Sequence, residues 1–364
     1  MRLEQLTFTR FLAAMAIVIY HYGVNVFPFE HKFLNSIFKQ ANVGVSYFFI
    51  LSGFVMIIAY QNKGSINFWN FIKKRIARIY PAYGFAILML IAYFAYTLEP
   101  LPIGQLLLNS TLLQAWLPGH VFAFNYPSWS LTVEMFFYVT FPFLFNWFYN
   151  RYPLKKILIP IGIVFILSQI VFHLLINSQF YKPFPSDNYQ FIYYFPLLHF
   201  NEFLVGNALG LFLINQNKQE SRNYDLYILG LIGLVLIALK TNIGLVYHNG
   251  MLAVVFVPLI YFISRNNGLI TKISNLKPLI FLGEISYGIY ILQHPVFSWT
   301  TALMKQIHLN NPTYIFYTGV VFLIVVSAIS YRFIEVPLQK MINDQNRIGY
   351  INFVKKNLSI IFNK

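Results

Sequence analysis

Long apolar stretches, each about 20 residues, alternate with short polar segments along the chain. Runs of this length predict membrane-spanning helices. Ten such spans are predicted, at 7–27, 42–60, 79–98, 129–149, 157–177, 191–214, 225–240, 246–264, 280–304 and 313–334. The stretch 100–117 is flanked by prolines and interrupted by polar residues, which indicates an interfacial or re-entrant segment.

Composition supports a membrane protein. Of the 364 residues 58% are hydrophobic and 10% are charged, whereas soluble domains carry about 25% charged residues. Cysteine is absent, which excludes disulfides and thiolate sites. The first apolar run lacks a small-residue cleavage site, so we interpret it as a retained helix. The predicted fold is an all-α polytopic membrane protein.

The net charge of +15 raises the question of a nucleic-acid partner. With a cytoplasmic N-terminus, 21 of the 26 Lys and Arg fall on the cytoplasmic side, as the positive-inside rule requires. The charge is therefore explained by topology, both termini are predicted inside, and no nucleic acid is expected. Residues 1–340 form one transmembrane domain. Residues 341–364 form a basic amphipathic tail suited to an anionic leaflet, with a frayed tail as the alternative.

Ionisable residues within spans are costly and are candidates for function. Arg10 and His21 are eleven residues apart in the first span, which corresponds to three helical turns plus about 20° and to a rise of about 16 Å. Both side chains are thus predicted on one face. The alternative is that Arg10 extends to the membrane surface and His21 is a core histidine.

Glu134 lies about one and a half turns into the fourth span, which begins Trp129-Ser130-Leu131. We predict that Glu134 and His21 lie at matching depth, so that the carboxylate orients the imidazole, as an acid does in a catalytic triad. Pairing of Glu134 with an arginine for packing is the alternative.

Arg75 and Arg78 are three residues apart, so they share one helical face at the cytoplasmic boundary. Paired guanidinium groups suit phosphates. A cluster that merely sets topology is the alternative. Small residues around Ser52 and Gly53 permit close helix approach or leave room for an acyl chain.

Three further spans carry polar residues. His199 and Glu202 have the spacing of two metal ligands, but no third ligand is identifiable, so no metal site is predicted. Tyr287, Tyr290 and His294 lie in the ninth span. Glu335 ends the tenth span and is a candidate partner for the basic cluster.

Four segments together resemble the acyltransferase-3 family of integral-membrane acyltransferases. They are Phe8-Thr9-Arg10-Phe11-Leu12-Ala13 with His21, Phe48-Phe49-Ile50-Leu51-Ser52-Gly53-Phe54, Arg75-Ile76-Ala77-Arg78-Ile79-Tyr80-Pro81 and Trp129-Ser130-Leu131-Thr132-Val133-Glu134. The resemblance covers roughly residues 5–340 and marks as essential Arg10, His21, Arg75, Arg78 and Glu134.

The resemblance implies an acyl-CoA donor, with acetyl-CoA as the default, and no permanently bound cofactor. The implied acceptor is a glycan such as lipopolysaccharide O-antigen or exopolysaccharide, and the implied location is the inner membrane of a bacterium. One position departs from the family pattern. Gln293 stands where a histidine is usual, and His294 follows about 100° around the helix.

The sequence thus predicts an O-acyltransferase. His21 is the expected general base, Glu134 orients it, and Arg10, Arg75 and Arg78 bind acyl-CoA. Further pocket candidates are Ser52, Trp129, Ser130, Tyr287, Tyr290 and His294. A transporter or flippase of an acyl donor or lipid-linked sugar is the alternative, although no inverted repeat is visible. An unrelated membrane acyltransferase fold would place its buried histidine late in the chain.

Overall fold

Helices account for the regular structure of the chain. The computed structural model describes residues 4–216, 221–241 and 244–343, and no β-strand occurs in these ranges. The α-helices are α1 (Gln5–Val18), α2 (Lys32–Phe38), α3 (Gly44–Tyr60), α4 (Phe68–Thr97), α5 (Ile103–Ser110), α6 (Trp129–Leu144), α7 (Leu154–Ile176), α8 (Asp187–Tyr194), α9 (Phe200–Asn215), α10 (Asp225–Lys240), α11 (Ala253–Arg265), α12 (Leu269–Ser274), α13 (Lys277–Glu284), α14 (Ser286–Gln306), α15 (Pro312–Ser330) and α16 (Val336–Asn343).

Within the described ranges, seven continuous or nearly continuous helical segments are long and apolar enough to cross a membrane. These are Gln5–Gly23, Lys32–Tyr60, Phe68–Thr97, Tyr126–Tyr149, Leu154–Ile176, Asp187–Asn215 and Pro312–Asn343. The all-α polytopic fold is thereby confirmed, and each of the ten predicted spans contains a helix. The count of ten spans stays a prediction, because α11 has only 13 residues. The predicted tail lies, from residue 344 on, outside the described residues.

Three helices continue into wider π-helical turns, at Ile19–Gly23, Phe145–Tyr149 and Tyr331–Glu335. Such i→i+5 turns are rare and are frequent at functional sites. The first of them carries His21 and the last ends at Glu335. The directions of the His21 and Glu335 side chains therefore differ from those that the regular 100° per residue of an α-helix predicts.

Contacts of the connecting segments define two ends of the helix assembly. At one end the turn before α4 meets the turn after α6, where Asn146 accepts a hydrogen bond from the Ile66 N–H at 2.8 Å. At the other end the His21 ring lies 4.8 Å from the ring of Tyr126. We call these the arginine end, after Arg75 and Arg78, and the histidine end.

Helices α3 and α9 approach each other backbone to backbone. A Cβ atom on Gly53 would lie 2.2 Å from the Phe203 carbonyl oxygen, and one on Gly206 would lie 2.0 Å from the Ile50 carbonyl oxygen. The expectation that Gly53 permits close helix approach is confirmed. Ser52, next to Gly53, lines a cavity.

The segment between α4 and α6 folds inward from the histidine end and forms short helices. That 100–117 is interfacial or re-entrant stays a prediction. The segment's polar residues Asn109, Gln114 and Asn125 are fully buried, and they bond within the protein as a membrane interior requires. The Asn109 amide donates to the Ala123 carbonyl at 2.5 Å, and the Gln114 amide donates to the Ser128 carbonyl at 2.9 Å.

Asn125 anchors this segment to α14. Pro295 lacks an N–H, so it cannot bond to the carbonyl of Ile291 one turn earlier. The Asn125 amide donates to that carbonyl at 3.2 Å. The start of α6 is thereby fixed against the middle of α14, deep in the helix assembly, and not at its edge.

Candidate functional site

A cavity of about 160 Å³ lies where α1, α3, α4, α6 and α14 meet. Its apolar wall comes mainly from α3, with Phe48, Phe49 and Val45. Its polar lining gathers eight of the residues predicted from the sequence: Arg10, Ser52, Arg75, Arg78, Ser130, Glu134, Tyr287 and Tyr290. Arg78 is exposed, so the cavity opens at the arginine end.

Cationic groups outnumber acidic groups around this cavity. Glu134 interacts electrostatically with Arg10, Arg78 and Arg75, most strongly with Arg10. Glu335 interacts electrostatically with Arg78 and Arg10, and its Oε1 accepts a hydrogen bond from the Ser330 hydroxyl at 3.1 Å. Its pairing with the basic cluster stays a prediction. Three guanidinium groups and one carboxylate line the cavity, so an anion entering from the arginine end meets a net positive field.

Aromatic rings hold Arg75 in place. Its guanidinium carbon lies 4.9 Å from the centre of the Phe71 ring, 5.5 Å from that of Tyr138 and 6.0 Å from that of Tyr60. Cation–π contacts fix the group without using its hydrogen-bond donors. The buried Nε of Arg75 has no hydrogen-bond partner in the described part of the chain. The guanidinium is therefore positioned and still able to donate.

Hydrogen bonds fix the wall of the cavity that leads towards the histidine end. The Tyr287 hydroxyl donates to the Ile79 carbonyl at 2.9 Å, which joins α14 to α4. The Tyr290 hydroxyl donates to the Pro127 carbonyl at 3.0 Å, and Ser130 donates to the same carbonyl at 3.2 Å. Two hydroxyls thus share one acceptor at the inner end of the cavity.

His21 lies beyond this wall, outside the cavity lining, on its π-helical turn. Its Nδ1 lies 2.7 Å from Oε1 of Gln293. The Gln293 amide nitrogen donates to the Tyr290 carbonyl at 2.6 Å, so Oε1 is left to face the imidazole. A carbonyl oxygen only accepts, and a neutral His21 must therefore carry its proton on Nδ1. Nε2 then carries the lone pair, which is the form that a general base requires.

The predicted contact of Glu134 with His21 is wrong in this structure: Glu134 faces the arginines, and Gln293 holds His21. The depth estimate assumed that α6 begins at the membrane surface. The start of α6 instead lies beside His21, because Tyr126 packs against that ring. The eight residues from Tyr126 to Glu134 then carry the carboxylate about 12 Å towards the arginine end.

Two pocket candidates lie elsewhere. Trp129 turns away from the cavity, with its ring centre 5.3 Å from that of His199 and 6.0 Å from that of His248. His294, on α14, packs against Tyr126 with 4.8 Å between ring centres. Its buried Nδ1 has no hydrogen-bond partner among the described residues. His294 is therefore near His21 but not in the arginine-lined cavity.

Sequence reasoning missed the roles of Gln293 and Tyr126 in the site. Gln293 was visible as a departure from the family pattern, and an amide oxygen can accept the same hydrogen bond that a histidine nitrogen accepts. Tyr126 precedes the recognised Trp129 segment by three residues, and no spacing rule links it to His21. Its hydroxyl donates to the Tyr22 hydroxyl at 2.7 Å.

Comparison with known proteins finds a family model and several relatives that match this chain. The family model of the acyltransferase domain matches residues 3–332. O-acetyltransferase OatA of Staphylococcus aureus (strain NCTC 8325 / PS 47) is 26% identical over 359 residues, which cover 91% of this chain and 56% of OatA. Peptidoglycan O-acetyltransferase OatA of Listeria monocytogenes is 26% identical over 380 residues, which cover 95% of this chain and 56% of that protein.

A third relative, acyltransferase MdmB of Streptomyces mycarofaciens, is 30% identical over 231 residues, which cover 58% of each protein. The chain thus spans a little over half the length of the OatA relatives that it matches. No solved structure matches. Because the family model covers nearly the whole chain, the protein belongs to the acyltransferase-3 family of membrane acyltransferases.

Proposed function

We propose that the protein is a membrane O-acyltransferase that moves an acyl group, by default acetyl, from cytoplasmic acyl-CoA to a hydroxyl of a cell-envelope glycan. The observation that carries this proposal is the arginine-lined cavity, whose inner wall at Tyr290 separates it from His21. Nε2 of His21 can accept a proton. The relative named for peptidoglycan adds peptidoglycan to O-antigen and exopolysaccharide as candidate acceptors. The protein would lie in the inner membrane of a bacterium, with ten spans and with both termini and the arginine end in the cytoplasm.

The donor enters at the arginine end in this proposal. The phosphates of acyl-CoA are polyanionic and suit Arg75 and Arg78, the latter exposed at the mouth. The pantetheine arm is uncharged and suits the apolar wall formed by Phe48 and Phe49. Arg10 to His21 spans about 16 Å along α1, so an extended arm brings the thioester past Tyr290 towards His21.

His21 Nε2 takes the proton of the acceptor hydroxyl as that oxygen attacks the thioester carbonyl carbon. The new carbon–oxygen bond forms, the carbon–sulfur bond breaks, and coenzyme A leaves as a thiolate that receives the proton from His21. Gln293 acts through His21 as a positioning residue. In this scheme Glu134 balances the arginine charges and does not touch the reacting atoms.

A direct assay separates this proposal from the transporter alternative. Purified protein in nanodiscs is supplied with radiolabelled acetyl-CoA and glycan fragments, and both free coenzyme A and labelled glycan are measured. We expect the two products in equal amounts. A transporter leaves the thioester intact, so the absence of both products from folded protein contradicts the proposal.

Neutralising Arg75 and Arg78 tests donor binding. Because a hydrogen bond to a charged group contributes about 1.5–3 kcal/mol, Arg78→Gln is expected to raise the KM for acetyl-CoA about tenfold, and Arg75→Gln by a similar factor. The value of kcat should change less, since these groups act in binding. Lys74→Gln is the matched control: it removes one charge from the same turn of α4 but lies outside the cavity lining. An unchanged donor KM in both arginine variants contradicts the assignment.

Gln293 offers a test of the imidazole orientation. Gln293→Leu removes the acceptor for Nδ1–H and is expected to lower kcat about a hundredfold, because misplacing a reacting group by about 1 Å has an effect of that size. Gln293→Glu keeps an oxygen acceptor and is expected to retain most of the activity. Donor KM should stay unchanged in both variants. Equal activities for Gln293→Leu and Gln293→Glu would show that the hydrogen bond does not position the base.

A further inference from the structure

Tyrosine side chains cluster around α8 at the histidine end. Tyr189 and Tyr193, one helical turn apart on α8, stack with 4.3 Å between ring centres and 24° between planes. Tyr181, from the preceding loop, lies 6.5 Å from Tyr189. Tyr20 is the residue before His21 and lies within electrostatic range of Tyr189. We call Tyr20, Tyr181, Tyr189 and Tyr193 the tyrosine face.

The tyrosine face is held by a buried polar framework. His199 Nδ1 lies 2.7 Å from Glu202 Oε2, and its Nε2 lies 2.9 Å from the Tyr193 carbonyl oxygen, to which it donates. Gln190 accepts from the backbone N–H groups of two residues in the inward-folded segment, each at 3.1 Å. Helix α8 is thus tied to α9 on one side and to that segment on the other. A fixed α8 keeps its two tyrosine rings pre-organised.

The four side chains are all partly exposed, and each combines an apolar ring with a hydroxyl. Sugars have the matching chemistry, since one face of the ring presents C–H groups and the rim presents hydroxyls. Phenylalanine or leucine would serve a purely apolar occupant better. Tyrosines in the interfacial belt of membrane proteins are distributed around the perimeter, whereas Tyr181, Tyr189 and Tyr193 form one cluster with which Tyr20, the neighbour of His21, interacts electrostatically.

We propose that the tyrosine face binds a sugar ring of the acceptor glycan and presents one hydroxyl to His21. This proposal rests on the proposed function for the identity of the reaction and adds the surface that selects the acceptor. Tyr20 connects the tyrosine face to His21, because its ring centre lies 5.0 Å from that of His21. Donor and acceptor therefore reach His21 from opposite ends of the protein.

The first test is kinetic. Tyr189→Ala is expected to raise the KM for a glycan fragment about tenfold, in keeping with the loss of an aromatic contact surface. The donor KM and the kcat at saturating glycan should stay within about twofold. Tyr189→Phe keeps the ring and should show a smaller rise in KM. Tyr314→Ala, which removes an exposed tyrosine at the start of α15, is the matched control.

A binding measurement keeps this proposal separate from the proposed function. Binding of unlabelled glycan fragments is measured by saturation-transfer NMR on the His21→Ala protein and on a His21→Ala, Tyr189→Ala double variant. We expect binding to the first and a loss of about tenfold in affinity for the second. If the glycan binds in this pattern but the wild type transfers no acyl group, the proposed function is contradicted, whereas glycan binding by the tyrosine face is supported. Equal binding to both variants overturns the tyrosine face even if transfer occurs.

Discussion

Replacing His21 with alanine is expected to lower kcat for acyl transfer by about 10² to 10⁴-fold, the usual contribution of a general base. The reason lies in its hydrogen bond: Gln293 occupies Nδ1 and leaves Nε2 as the one ring nitrogen able to accept a proton. The imidazole of His294, which also packs against Tyr126, is held differently. His294 has a buried Nδ1 without a partner in the described ranges.

The same variant should bind acetyl-CoA normally, because His21 lies outside the arginine-lined cavity. The measurements are single-turnover acyl transfer and equilibrium binding of acetyl-CoA to protein that elutes as a folded species. His120→Ala is the matched control, since it makes the same chemical change at an exposed site in the inward-folded segment. Wild-type turnover by folded His21→Ala protein would falsify the general-base assignment.

Much of the arginine-lined cavity was predictable from the sequence. Helical spacing places Arg75 and Arg78 on one face, and charge inside a span marks Glu134 as exceptional. The structure brings these three residues together with Arg10, as the resemblance to the family implied. Local rules succeed here because regular helices carry all four side chains.

The link between Glu134 and His21 could not be predicted, for two physical reasons. The π-helical turn at Ile19–Gly23 redirects His21, and no sequence signal marks that turn. The segment before α6 folds inward through left-handed backbone at Leu98, Leu112 and Phe124, with φ between 55° and 58°. Leucine and phenylalanine are unusual in this conformation, so the turn signals that glycine would give are missing. The depth of α6 was therefore misjudged.

Gly206 is expected to tolerate no side chain. Elsewhere in a helix, replacing glycine by alanine favours folding by about 1 kcal/mol. At Gly206 the added Cβ would lie 2.0 Å from a backbone carbonyl oxygen of α3, which no side-chain rotation relieves. Helices α3 and α9 must then separate, and overpacking of this kind costs about 3 kcal/mol. We expect Gly206→Ala to lower the melting temperature in nanodiscs clearly and Gly206→Val to yield no folded protein.

Gly162 in α7 and Gly230 in α10 are the matched controls, because a Cβ on either would meet nothing within 4 Å. Alanine at these positions should leave the melting temperature unchanged or raise it slightly, so the sign of the effect distinguishes packing from helix propensity. Separation of α3 and α9 would also shift Ser52 and Phe49, which line the cavity. Gly206→Ala protein that still folds should therefore show a raised KM for acetyl-CoA. A melting temperature and donor KM equal to those of Gly162→Ala would contradict the close packing of α3 on α9.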